Sequence, residues 1–257
     1  MSRTRLRSRL SAVALVAIAS ACGSDAAVAP ASTAHTTLDQ ALGELTLPVL
    51  STAGGSISDL FPGAPQLGAR CAYAAASQSF VCPPATASGL TINQSFTLLT
   101  TSGGKQSAFD HATTESVTTN TAVAGSVTSE GATLTLDGRE ELTLSGLVTG
   151  RHTINGTGAA HLVGALPDGS SFDIRMTSSI TSLILPANTT PGAQVWPASG
   201  TIVVESVASL TGFPPSTSRL TLMFNGTSKV NVTVTEDGFT RTCQQDLATP
   251  AQEPSCG

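Results

Sequence analysis

The feature that most constrains this chain is a two-residue alternation of apolar with polar side chains. It recurs, broken by turn residues, from about residue 69 to the C-terminus. Leu220, Leu222 and Phe224 show it, as do Val230, Val232 and Val234. Neighbouring side chains of a strand point to opposite faces, so a segment of this kind offers one face to a core and one to water. Such segments cover 69–74, 79–82, 90–101, 112–119, 132–136, 141–149, 159–166, 171–185, 201–210, 219–224, 229–235 and 239–242. Turn signals separate them: Ser102-Gly103-Gly104, Asp137-Gly138, Asn155-Gly156, Pro167-Asp168-Gly169, Asn225-Gly226 and Asp237-Gly238. Ser and Thr together make 68 of the 257 residues and charged residues only 11 %, a balance that favours strands over helices.

Short turns between successive strands predict an antiparallel meander. A sheet of about ten to twelve strands must close, curl or split into layers. The expected fold is therefore all-β: a meander forming a strongly curved sheet or open barrel, with a two-layer β-sandwich as the alternative. One short N-terminal helix is expected, capped by Thr37, with Leu38, Ala41, Leu42 and Leu45 on one side and Pro48 beyond its end. For the hairpin around Asn225-Gly226, a two-residue loop would set Leu222 opposite Lys229 and mix the faces. A three-residue loop with Gly226 in the left-handed conformation sets Leu220 opposite Val230, and this is the expectation.

The first residues point to export. Arg3, Arg5, Arg7 and Arg9 precede the apolar run Leu10–Ile18, and small residues lead to Cys22. A charged start, a short apolar core and a small-residue cleavage site make a secretory signal. The run is too short to span a bilayer, which takes roughly 20 residues. The tract Ile18-Ala19-Ser20-Ala21-Cys22 resembles a bacterial lipobox. The resemblance implies that the chain is cut before Cys22 and that Cys22 carries acyl chains, palmitate among them, as a membrane anchor. Gly23, where Asp would signal retention, implies the outer membrane of the cell envelope. Residues 1–21 are then a signal peptide, 22–37 a lipidated flexible tether rich in small and polar residues, and 38–257 a single β domain.

Four of the 12 Lys and Arg lie in the signal and none of the 17 Asp and Glu, so the mature chain keeps eight cations against 17 anions, a net charge of −9. That excludes nucleic acid as a partner, since binding it needs clustered Lys and Arg. Apart from Cys22 there are four cysteines, Cys71, Cys82, Cys243 and Cys256. An even set in an exported chain reads as disulfides, and Cys71–Cys82 with Cys243–Cys256 is the expected pairing.

Catalytic motifs are sparse. No G-x-S-x-G string occurs. Ser102-Gly-Gly-Lys105 fits S-x-x-K but sits in a turn rather than at a helix start. Asp110-His111 reads as a solvated turn. His152 and His161 flank the Asn155–Gly158 segment and are weak metal candidates; a turn centred on Gly156-Thr157 would set them directly opposite and one centred on Asn155-Gly156 would not, and a catalytic zinc site takes three protein ligands, of which no third is evident. Glu140 and Glu141 are strand neighbours on opposite faces and cannot act as a glycosidase pair. No metal or cofactor is assigned.

Three stretches, Cys71-Ala-Tyr with Ser79-Phe-Val-Cys82-Pro-Pro, Gln194-Val-Trp196-Pro-Ala-Ser-Gly200-Thr, and the Asn225-Gly226-Thr227 hairpin with the late cysteines, look like bacterial lipoproteins that carry no assigned activity. The resemblance implies location and domain unity. The functional expectation is a monomeric, membrane-anchored envelope lipoprotein with a non-catalytic binding or structural role, not an enzyme. A carrier of a lipid or other apolar ligand is the alternative, and an envelope hydrolase the third.

Overall fold

The computed structural model describes residues 71–87, 89–129, 132–165, 169–186, 196–248 and 255–256. The expected helix at Leu38–Leu45, Cys22 and the tether lie outside the described residues. Fourteen strands are formed: β1 Ala72–Ala74, β2 Ser79–Val81, β3 Ala85–Ala87, β4 Leu90–Thr100, β5 Lys105–Gln106, β6 Thr114–Ser129, β7 Ala132–Ser145, β8 Thr153–Ala165, β9 Ser171–Ile184, β10 Ser199–Leu210, β11 Ser216–Phe224, β12 Lys229–Glu236, β13 Phe239–Asp246 and β14 Ser255–Cys256. No helix occurs among the described residues. All fourteen belong to one antiparallel sheet in the order β1-β2-β4-β6-β7-β8-β9-β10-β11-β12-β13-β14. The expected meander is thus present. Among the described residues the path has two ends and does not close. β6 occupies one side of β4 along its whole length, so β2, β3 and β5 share the other.

The registers sort the side chains onto two faces. Leu98 faces Val117, Val117 faces Leu144, Leu144 faces Ile154, and the row continues to Leu183. Ile202, Leu222, Val232 and Cys243 form another such row. This is the apolar face, and it holds the core: Leu144, Ile154, Leu183 and Val230 are 0 % exposed. Each such side chain contributes about 1.5–3 kcal/mol by leaving water. The opposite face carries Thr, Ser and Asn with scattered charges, and many of its side chains bond their cross-strand partners. Thr118 meets Thr143 at 2.9 Å, Ser126 meets Thr135 at 2.8 Å and Thr235 meets Thr240 at 2.9 Å.

Three expectations are corrected. Asp137-Gly138 and Asn155-Gly156 are not turns; they lie inside β7 and β8. Gly156, Gly158 and Gly164 have no Cβ on the apolar face, and side chains of neighbouring strands fill the room: Leu142 lies over Gly156 and Phe172 over Gly164. The Asn225 hairpin keeps the expected parity, but pairs Leu220 with Val234 and Leu222 with Val232, not Leu220 with Val230. Its loop is longer because Asn225 Oδ1 accepts bonds from the Thr227 amide (3.1 Å) and hydroxyl (2.8 Å), and the Thr227 oxygen accepts from the Lys229 amide (3.2 Å). Gly226 is left-handed, as expected, at φ 83°, and its N–H donates to the Pro197 carbonyl at 2.9 Å.

A bulge explains why Ile180 and Leu183 share a face despite their odd spacing. The β8–β9 register slips between Ile154 and Gly156. Ser182 turns to φ 47° there, and its amide donates to Asn155 Oδ1 at 2.7 Å. The inserted residue shifts the phase of the strand and returns Leu183 to the core.

Candidate functional site

The β1–β2 hairpin is fastened by the Cys71–Cys82 disulfide, which joins directly opposed positions with Cα atoms 4.0 Å apart. On its apolar side Tyr73 meets Phe80 edge-on at 5.3 Å, and Phe80 stacks on Phe96 at 4.5 Å. At the other end of the sheet Cys243 is disulfide-bonded, and the backbone position facing it is Cys256. The hairpin is therefore held rigidly against β4, and its turn stands beside the polar face, where Lys105 Nζ donates to the Ser77 carbonyl at 3.2 Å.

Beside this hairpin the polar face forms a groove of about 860 Å³. Ser77, Ser79, Val81, Cys82 and Pro84 line one side; the floor is built from 93–95 of β4, 120–122 of β6, 139–141 of β7 and 157–159 of β8. Two rows of side chains point into it by alternation. One runs Asn93, Ala122, Arg139, Ala159; the next runs Ser95, Asn120, Glu141, Thr157. A smaller hollow of about 280 Å³ continues past Glu141 and Thr157 to Asn155, Ser179 and Thr181.

Some opposed polar side chains of this face bond one another, as Thr118 does Thr143 in the row beside the groove. Among the described residues Asn93, Ser95, Asn120, Arg139, Glu141 and Thr157 make no side-chain hydrogen bond or ion pair, although Asn120 faces Glu141 and Glu141 faces Thr157. Their donors and acceptors are open to whatever enters. Among the described residues no histidine and no free thiol lines the groove, since Cys82 is in the disulfide.

Behind the floor, on the apolar face, lies Glu140. It sits between Thr121 and Gly158, with Gln94 and Ser178 further along the same row. Gln94 Nε2 donates to Thr121 Oγ1 at 3.4 Å. The Glu140 methylene chain and the Ser178 hydroxyl both lie over Gly158. Burial among these neighbours, with no cation beside it, pushes the Glu140 carboxyl from its ordinary 4.5 up to about 7. Sequence reasoning placed Glu140 and Glu141 on opposite faces correctly but did not single out Glu140.

The histidines fall apart. His152 precedes β8 and His161 lies within it, so about 30 Å of extended chain separates these weak metal candidates and no turn brings them together. His161 Nε2 bonds Asp173 Oδ1 at 3.0 Å, with Arg175 Nε 3.6 Å from the same oxygen, and no serine joins them. Among the described residues no group of three His, Cys, Asp or Glu is placed to hold a metal. His111 lies in a turn where Asp110 Oδ1 accepts from the Ala112 amide at 2.9 Å, in line with the solvated-turn reading. Ser102 bonds Thr100 at 2.9 Å while Lys105 reaches Ser77, so the S-x-x-K residues do not meet.

No protein-family model matches this sequence, and neither a curated protein nor a solved structure matches it.

Proposed function

We propose that this is a lipid-anchored envelope protein that acts by binding a polar ligand in the groove beside the disulfide hairpin, without a covalent step. One observation carries the reading: six polar side chains lie together in one hollow of the sheet face and, among the described residues, leave one another unengaged, while Thr118 and Thr143 in the adjoining row bond each other. Mutually satisfied rows stabilise the sheet; an unengaged row in a hollow is suited to recognition. The anchor rests on the leader and Cys22. On this reading the tether lets the β domain search the space near the membrane. Cys22→Ala should move the protein from the membrane to the soluble fraction and abolish palmitate labelling.

The binding half is tested by thermal melting of the full-length chain in detergent with maltotriose, trigalacturonate and trialanine. A ligand that binds only the folded state raises the midpoint. The reading expects a shift with at least one probe that is lost in the Asn120→Ala/Thr157→Ala variant. No shift with any probe contradicts it.

A second reading, a carrier of apolar ligands, draws on the burial gradient of the apolar face. Leu144, Ile154 and Leu183 are fully buried at one end of the strands; towards the other, Leu134, Leu210 and Val234 are half-buried and Phe239 is 83 % exposed. A single sheet that curls around its apolar face as an open barrel would produce this gradient, tight at the base and loose at the rim. Retention of a fluorescent fatty acid by the full-length chain would favour this reading.

A further inference from the structure

We infer that the ligand of the groove is a saccharide bearing a carboxylate, with Arg139 holding the carboxylate and Ser95, Asn120, Glu141 and Thr157 taking the hydroxyls. The inference rests on the groove being the binding site. Arg139 is exposed, and its cross-strand neighbours are Ala122 and Ala159. Neither methyl group can pair with the guanidinium, and among the described residues no ion pair or hydrogen bond engages it. The next carboxylate in its row, Glu205, stands three strands away and is held by Arg219. Among the described residues Arg139 has no ion pair, Glu141 two residues along β7 included. An unpaired guanidinium in a hollow matches a carboxylate, which it grips through two parallel bonds.

The neighbouring row fixes the rest of the ligand. Glu141 accepts only, Asn120 donates and accepts, and the hydroxyls of Ser95 and Thr157 do both. A sugar ring presents hydroxyls that likewise donate and accept around its rim. An extended peptide satisfies its backbone at a sheet edge rather than on a face, and this groove lies on the face of interior strands. Four strands span about 14 Å and the adjoining hollow adds a fifth, which suits an oligomer of a few rings. Among the described residues no aromatic side chain lines the groove, so none of them supplies stacking. Charge and hydrogen bonds then carry the affinity, and it must weaken with salt.

The test is isothermal titration of the full-length chain in detergent with trigalacturonate, maltotriose and trialanine at low and raised salt. The expected result is trigalacturonate binding at least about tenfold tighter than the other two, with that advantage lost in raised salt and in Arg139→Gln. Arg175→Gln, on the same face but outside the groove, should bind as the wild type does. If maltotriose binds equally well, the groove reading stands and the carboxylate is overturned. If trialanine binds best, the saccharide is overturned. If Arg139→Gln keeps the full preference, the assignment of Arg139 is overturned. If nothing binds, the groove reading itself fails.

Discussion

Glu140 and Glu141, joined by one peptide bond in β7, send their carboxyls to opposite faces of the sheet, one to the core side and one to the groove. Their chemistry diverges with their surroundings. Glu140 is half-protonated near neutrality because burial penalises its charge, and it adds a pH dependence to the fold.

The sign follows from the raised value. Below about 4.5 the carboxyl is neutral in both the folded and the unfolded chain, so this group favours neither. As pH rises through 4.5 to about 7, the unfolded chain ionises and the folded one resists, so stability falls; above that range the loss is complete. Its full size is on the order of 3 kcal/mol. Glu140→Gln should therefore be the more stable protein at pH 8 and lose that advantage at pH 4.5, read as denaturation midpoints at both pH values. Equal midpoints for the two proteins at pH 8 would refute the burial of this carboxyl.

Phe172 and Gly164 make a second packing test. They are directly opposed across β8 and β9, and the ring occupies the space a Cβ on Gly164 would need. Gly164→Ala should cost about 1–3 kcal/mol by overpacking. In the Phe172→Ala background the same change should cost less, leaving only the approach to the Thr133 carbonyl. Additive urea-unfolding energies for the two changes would show that the ring does not lie there.

The disulfide hairpin supplies one side of the groove, so it should support both stability and binding. Cys71 and Cys82 are separated by 11 positions in sequence. Closing a loop of that length removes about 3 kcal/mol of unfolded-state entropy in the chain-entropy model. The Cys71→Ala/Cys82→Ala variant should unfold at correspondingly lower denaturant and also bind trigalacturonate more weakly. Loss of stability with unchanged affinity would place the hairpin outside the binding site.

Much of the fold is legible in the sequence because one face of each strand must be apolar. The phase of Leu220, Leu222, Phe224, Val230, Val232 and Val234 predicted the parity of their hairpin, and the observed pairing obeys it. The loop length was not legible, because it depends on bonds that Asn225 and Thr227 make only once the loop is formed. The two false turns share a cause. Asp137-Gly138 and Asn155-Gly156 carry turn chemistry, yet both lie inside strands, where Gly156 makes room for Leu142 and Gly138 meets only ordinary contacts. At the first, a two-residue turn would set Leu134 against Glu141, whereas Leu134, Leu136, Leu142 and Leu144 share one phase and one strand. The groove itself could not be read, since Asn93, Asn120, Arg139 and Thr157 are far apart in sequence and meet only through three successive registers. The histidines drew attention by residue type alone, and the sheet separates them.

The most direct measurement is residue-resolved NMR of the full-length chain in detergent during titration with trigalacturonate. Ligand in the groove should shift only 93–95, 120–122, 139–141 and 157–159, with the Asn155, Ser179 and Thr181 hollow following at higher ligand. Shifts centred instead on the apolar face, at Leu134, Leu162, Ile174 and Leu210, or no shifts on the groove floor, would contradict it.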